Sequence, residues 1–305
     1  MSMKKLRALL FLIPAVLLIG LLSYSLVQAL RIYIPLKREE RAYDALRNSV
    51  RAATAAAPTE AVPVSAVQDN APEAAPMPTE ADPAAEEPDG TTAARVRPTP
   101  SPKPRRRTVD ITLGPPFEYE PLLRQNPDFA GWMTIEDTVV DYPVMKSSED
   151  DPEYYIHRDF YGKSSYSGCL FIGGGCDIDS DSYIIYGHNM NNDTMFGDLD
   201  EYADYDYAMA HPEIHFCTPR GDWVYRVYAA FQTRVYRDRD DVFKYYEKIG
   251  ELGREEYDQT VESVRRMSML SLPYAPTYPE QLLFLSTCSY HTQDGRFVVA
   301  AYRVQ

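Results

Sequence analysis

Between residues 52 and 107 the chain carries fifteen alanines and eleven prolines in 56 positions, and not one aromatic side chain. Such a tract buries too little apolar surface to offset the entropy of ordering it, so a disordered linker is expected there. It divides the chain. A globular core has to come from residues 108–305, a stretch large enough for one well-formed domain. Charge divides along the same lines: +6 over residues 1–51, −2 over the linker and −18 over residues 108–305, which together make the net −14. A head this acidic repels phosphate backbones and excludes nucleic-acid binding by charge.

Residues 8–30 contain no charged side chain, which is long enough for a helix to cross a hydrocarbon core needing about 20 residues. Lys4, Lys5 and Arg7 precede the run. Residues 1–7 are therefore expected to be a cytoplasmic tip and residues 8–30 a single-pass transmembrane anchor, with everything beyond exported. Pro14 is tolerable inside a membrane helix. The competing reading is a cleaved signal peptide, with Val27-Gln28-Ala29 as a loose cleavage pattern. The apolar run exceeds the ~7–15 residues of a signal core, so a retained anchor is the expectation. Both readings export the head. Residues 31–51 mix Arg and Lys with Glu and read as a juxtamembrane helix or stalk, the solvated stalk being preferred. The linker reaches at most about 170 Å at ~3.1 Å per residue, and is expected to act as a tether holding the head off the membrane, at a distance suited to a cell wall. The run Arg105 to Arg107 closes it.

Within the head, short β-branched and aromatic runs predict strands at 182–186, 223–231, 281–286 and 296–304, a pattern that suggests a barrel or sandwich. A short helix is expected at 121–126. Between the second and third of those runs, Val242, Tyr245, Ile249 and Leu252 follow helical spacing, as do Tyr257, Val261, Val264 and Met267, with Gly250 and Gly253 dividing the region into two pieces. An otherwise all-β head thus carries a helical insertion.

Four cysteines are present, with no CxxC and no Cys/His cluster at zinc spacing, so no metal or cofactor is expected. Cys169 and Cys176 are the only close couple, and one possibility in an exported protein is that they pair. Cys169 and Cys217 read as small apolar core residues. Cys288 ends the run Leu282-Leu283-Phe284-Leu285-Ser286-Thr287-Cys288, and Arg296 opens the next. An antiparallel hairpin turning at Asp294-Gly295 would bring the two together. A guanidinium there favours the thiolate and offers two hydrogen bonds to a developing oxyanion. On that pair alone a core cysteine beside a surface arginine is an equally good reading. His188 follows an apolar strand and precedes polar loop residues, a setting in which function is common. His157, His211 and His215 have no comparable setting, and His291, three residues after Cys288, is its rival.

Together, Tyr186-Gly187-His188-Asn189-Met190, Leu285-Ser286-Thr287-Cys288-Ser289-Tyr290 and Arg296-Phe297-Val298-Val299 resemble the signature of sortases, the cell-wall cysteine transpeptidases of Gram-positive bacteria. Agreement extends through Asp141-Tyr142-Pro143-Val144, Glu153-Tyr154-Tyr155-Ile156, Ser167-Gly168-Cys169-Leu170-Phe171-Ile172 and Met195-Phe196-Gly197-Asp198-Leu199. The helical segment resembles the insertion that marks class B. The resemblance implies an eight-stranded β-barrel in which Cys288 attacks the carbonyl of a C-terminal sorting motif on a secreted protein and forms a thioester. It implies His188 as general acid and later base, and Arg296 as the group that steadies the oxyanion. Tyr186, Ser286 and Thr287 are implied as peptide contacts. The implied acceptor is the amine of a peptidoglycan precursor or wall peptide, or a pilin lysine in a polymerising member. A hydrolytic cysteine peptidase and a non-enzymatic wall-tethered binding module are the alternatives.

Two departures stand out. Phe284 occupies a position where the family has threonine, for which a packing change with intact chemistry is expected. Asp177-Ile178-Asp179-Ser180-Asp181 opens like a calcium loop but lacks its glycine and glutamate, and reads as an acidic turn.

Overall fold

The computed structural model of the protein describes residues 3–56, 120–289 and 292–305. His291 and the linker beyond its first five residues lie outside them; those five end a helix.

Eight strands close into a barrel: β1 (Phe129–Thr134), β2 (Asp141–Lys146), β3 (Leu170–Ile172), β4 (Ser182–Tyr186), β5 (Glu213–Thr218), β6 (Gly221–Arg234), β7 (Leu282–Cys288) and β8 (Gly295–Arg303). Around the barrel the order is β1-β2-β3-β4-β7-β8-β6-β5. The pairs β2/β3 and β4/β7 are parallel, and the other six are antiparallel.

The apolar runs of β4, β7 and β8 are continuous because these strands are buried on both faces. Side chains alternate across a strand. Tyr183, Ile185, Leu283, Leu285, Phe297 and Val299 enter the barrel interior. Their neighbours Ile184, Leu282, Phe284, Val298 and Ala300 face outward, into a second core. Helical pieces between β6 and β7 cover that second core. Tyr245 lies in a 3-10 turn (Tyr245–Glu247), and α4 (Arg254–Met267; α1 to α3 are given below) presents Tyr257, Val261 and Val264 on one face. The insertion is thus divided as expected, although its first piece is a single 3-10 turn. Phe284 sits at 0% exposure with its ring 5.9 Å from that of Tyr245, so the larger side chain fills space beneath the insertion.

The described part of the head also holds two short helices, α2 (Glu120–Gln125) and α3 (Tyr205–Ala210). Cys169 and Cys176 are both thiols, not a disulfide. Cys169 Sγ instead lies 3.0 Å from the hydroxyl of Tyr43.

That contact belongs to the first helix, α1 (Met3–Ala56), 54 residues long and hence about 80 Å from end to end. Its described stretch Val16–Ala52 contains a window of mean hydropathy 1.6, apolar enough to cross a membrane and wholly unburied. The later turns are helical, and one face of them is buried where a stalk solvated all round was preferred. Tyr43, Leu46 and Val50 are buried against the barrel, and Leu36 packs beside them. Arg47 Nε lies 2.7 Å and Arg51 Nη2 3.2 Å from Asp141 Oδ2, while Trp132 Nε1 donates to Asp141 Oδ1 at 2.7 Å. The carboxylate is buried, and these three donors offset its loss of water.

The dock precedes the Ala/Pro-rich tract in the chain. The tether expectation itself falls on residues 57–107, which lie outside the described residues. From residue 30 to Glu39, the first docked acidic residue, the helix rises only about 13 Å.

Candidate active site

The outward-facing rows of three adjacent strands run into the site. On β7 the row Leu282, Phe284, Ser286 ends at Cys288. On β8 the row Tyr302, Ala300, Val298 ends at Arg296, which is the register partner of Cys288. Partners opposite each other in a ladder share a face, so the thiol and the guanidinium lie on the outer side of the barrel, at the end of the second core. The hairpin turns as its sequence predicts: Asp294 adopts φ 55°, and Ser289 N donates to Gly295 O at 2.9 Å.

The third row comes from β4, which pairs with β7 from Ser182↔Leu282 to Tyr186↔Ser286. Two residues further along both chains are His188 and Cys288. Three hydrogen bonds stitch these ends together: Gly187 N to Ser286 O (3.2 Å), Thr287 Oγ1 to Gly187 O (2.8 Å) and Asn189 Nδ2 to Cys288 O (3.1 Å). Gly187 is required for this approach, because a Cβ there would stand 2.5 Å from Leu170 and 2.6 Å from Phe196.

His188 Nε2 is 2.7 Å from the carbonyl oxygen of Ile156, in the 3-10 turn Tyr154–His157. A carbonyl only accepts, so Nε2 carries the proton and Nδ1 holds the lone pair of the neutral ring. Burial lowers the imidazole below its ordinary value of 6.5; the Ile156 bond opposes this, and His157 adds to it. His157, which the sequence reading set aside, stacks on His188 with centroids 5.4 Å apart.

Tyr186 is partly buried, and its ring lies 5.6 Å from that of Phe171. Ser286 and Thr287 are both buried, and their hydroxyls already have partners. Ser286 Oγ meets Tyr245 OH at 2.7 Å, and Thr287 Oγ1 holds Gly187. Burial pushes the Tyr245 phenol up to about 12, with Ser286 and the positive charge of Arg296 opposing it and Cys288 acting in the same sense as burial. Tyr245 therefore stands within electrostatic reach of both Arg296 and Cys288. In the sequence Tyr245 shows only helical spacing, with no sign of a place beside the site. Asn189 carries no sequence signal of its bond to Cys288, and the Ile156 carbonyl has no side-chain signal at all. Among the described residues no group of three His, Cys, Asp or Glu side chains is arranged to hold a metal ion.

A strand-end thiol beside a guanidinium, with a neutral imidazole just past the end of the neighbouring strand, has the parts for nucleophilic acyl transfer. Residues 133–304 match the family model described as Sortase domain. Sortase B of Listeria monocytogenes is 27% identical over 186 residues, covering 60% of this chain and 72% of that protein. A sortase B structure from B. anthracis, in complex with AAEK1, superposes with a TM-score of 0.53 at 25% identity, covering 66% of this chain and 89% of that one. The Staphylococcus aureus sortase B–substrate complex has the same fold, with a TM-score of 0.54 at 24% identity over 61% of this chain and 84% of that one. The chain belongs to the sortase family of cysteine transpeptidases, and within it to class B.

Proposed function

We propose that this chain is a membrane-anchored transpeptidase that cleaves a C-terminal sorting motif of secreted proteins and joins the product to an amine of a wall peptide. The observation that carries the reading is the convergence of three outward rows on Cys288, Arg296 and the position of His188. In this scheme the Cys288 proton passes to Nδ1 of His188 as sulfur attacks the scissile carbonyl. The imidazolium then protonates the leaving amine, giving a thioester. An incoming amine loses its proton to the same nitrogen as it attacks, releasing the new amide and the free thiol. Arg296 donates to the oxyanion through its planar fork, and Tyr186 borders the peptide. Ser286 and Thr287 act on the peptide through the shape of the strand ends that their hydroxyls brace. The apolar part of α1 spans the membrane with Lys4, Lys5 and Arg7 inside and the barrel facing the wall.

The test is a library of extended peptides incubated with the full chain, with and without triglycine, and read by mass spectrometry. Ligated product that rises with triglycine supports the transpeptidase. Cleavage that ignores the amine makes it a peptidase, and ligation to a lysine side chain alone makes it a polymerising member. No turnover, with binding retained after Cys288 is alkylated, makes it a binding module.

A further inference from the structure

His188 lies beyond the last residue of β4, so its ring is held by something other than the sheet. That support is the Ile156 carbonyl, and against Ile156 lies Gly168, in a segment that the docked part of α1 holds. Tyr43 OH lies 2.6 Å from Gly168 O and 3.0 Å from Cys169 Sγ. If the phenol gives its proton to the carbonyl, the thiol has the phenolic oxygen to donate to; burial pushes the Cys169 thiol up to about 12 and keeps it protonated. One helical turn before Tyr43, the Glu39 carboxylate accepts from two successive backbone N–H groups, Tyr166 (2.7 Å) and Ser167 (3.0 Å). Four consecutive residues, 166–169, are thus gripped from α1.

The same four residues lie flush against the His188 support. Gly168 has φ +60°, and a Cβ on it would come within 2.3 Å of Ile156 O and 2.8 Å of Tyr155 O. Cys169 N donates to Tyr155 O at 3.1 Å, and Ser165 N donates to His157 O at 3.0 Å. The oxygen that crowds Gly168 is the one that receives His188 Nε2. Contacts therefore run without a gap from Tyr43 to Gly168, to the Tyr155–Ile156 carbonyls and to the imidazole.

We propose that Tyr43, assisted by Glu39, is a positioning residue for His188, so that the stretch of α1 following the apolar run is part of the scaffold of the active site. This rests on the reading of His188 as the proton-transfer group. The helix that leads to the apolar run then has two roles: it carries the barrel and it sets the ring on which transfer depends. The titratable groups beside His188 are His157, stacked on it, and Cys288, two residues past the last pair of the β4/β7 ladder as His188 is.

The experiment uses the full chain in detergent micelles with three variants, Tyr43→Phe, Glu39→Gln and His188→Ala. It measures kcat and KM on a turned-over library peptide with triglycine, and the pH dependence of Cys288 alkylation by iodoacetamide. Tyr43→Phe keeps the ring and removes only the hydroxyl. Its kcat is expected to fall about tenfold, as a small misplacement of a catalytic group does, with KM within about twofold. The alkylation profile should move to lower pH, because a loosened Ile156 bond no longer favours the protonated ring. Glu39→Gln should move both readouts the same way by less, and it decides the matter if Tyr43→Phe does not fold. A thermal midpoint that drops while kcat and the profile stay in place would overturn the proposal, leaving α1 as ballast. Full activity in His188→Ala would instead overturn the underlying reading of the site, whatever the α1 variants do.

Discussion

The two halves of the site are built differently. Cys288 and Arg296 are a register pair at the end of a seven-pair ladder between β7 and β8, both of which are buried on both faces. His188 stands past the end of its strand, held by one carbonyl from a 3-10 turn, one stacked imidazole and the stitching of its neighbours. A ladder places side chains by backbone geometry, which a substitution elsewhere scarcely disturbs. A ring on a loop takes its place from whatever packs behind it. The nucleophile half is therefore expected to respond only to changes in its own residues, and the histidine half to changes at a distance.

Removing the nucleophile gives the largest contrast. Cys288→Ala is expected to abolish ligated product while the barrel melts at an unchanged temperature, measured by calorimetry alongside the peptide assay. Next is Arg296→Lys, with a loss of about a hundredfold in kcat/KM, since lysine keeps the charge without the two-pronged donor. Arg47→Ala tests the dock. It leaves Asp141 buried with Arg51 and Trp132 as its remaining donors, and should cost about 2 kcal/mol in urea unfolding, moderated by the donors that stay. The smallest effect is in pH. Burial lowers His188, so the neutral ring persists to more acid conditions than a free imidazole, and the acid limb of kcat/KM is expected to have its midpoint below 6.5. A midpoint above 6.5 would mean that a charge unaccounted for near the ring favours its protonated form.

Much of the nucleophile half was legible in the sequence. The runs of β7 and β8, the Asp294-Gly295 turn and the spacing from Cys288 to Arg296 are local features, and local rules recover them. Doubly buried strands also announce themselves through unbroken apolar runs, as β4 does at Tyr183-Ile184-Ile185. The histidine half was less legible because its supports come from afar or have no side chain. Ile156 contributes a backbone oxygen. Tyr43 lies 125 residues from the carbonyl it bonds. A signal for the dock did exist in Leu36, Glu39, Tyr43, Leu46, Arg47, Val50 and Arg51, which follow one helical face, but the charges between them read as solvation. Ser286 and Thr287 illustrate a different limit. Their residue types suit peptide contact, whereas burial commits both hydroxyls to the protein.

The most direct measurement is intact-mass spectrometry of the full chain during turnover of a library peptide, followed by peptide mapping. The account predicts an acyl adduct on Cys288 that accumulates without an amine acceptor, disappears when triglycine is added, and is formed far more slowly in His188→Ala. An adduct on another residue, or turnover with Cys288→Ala in place, would contradict it.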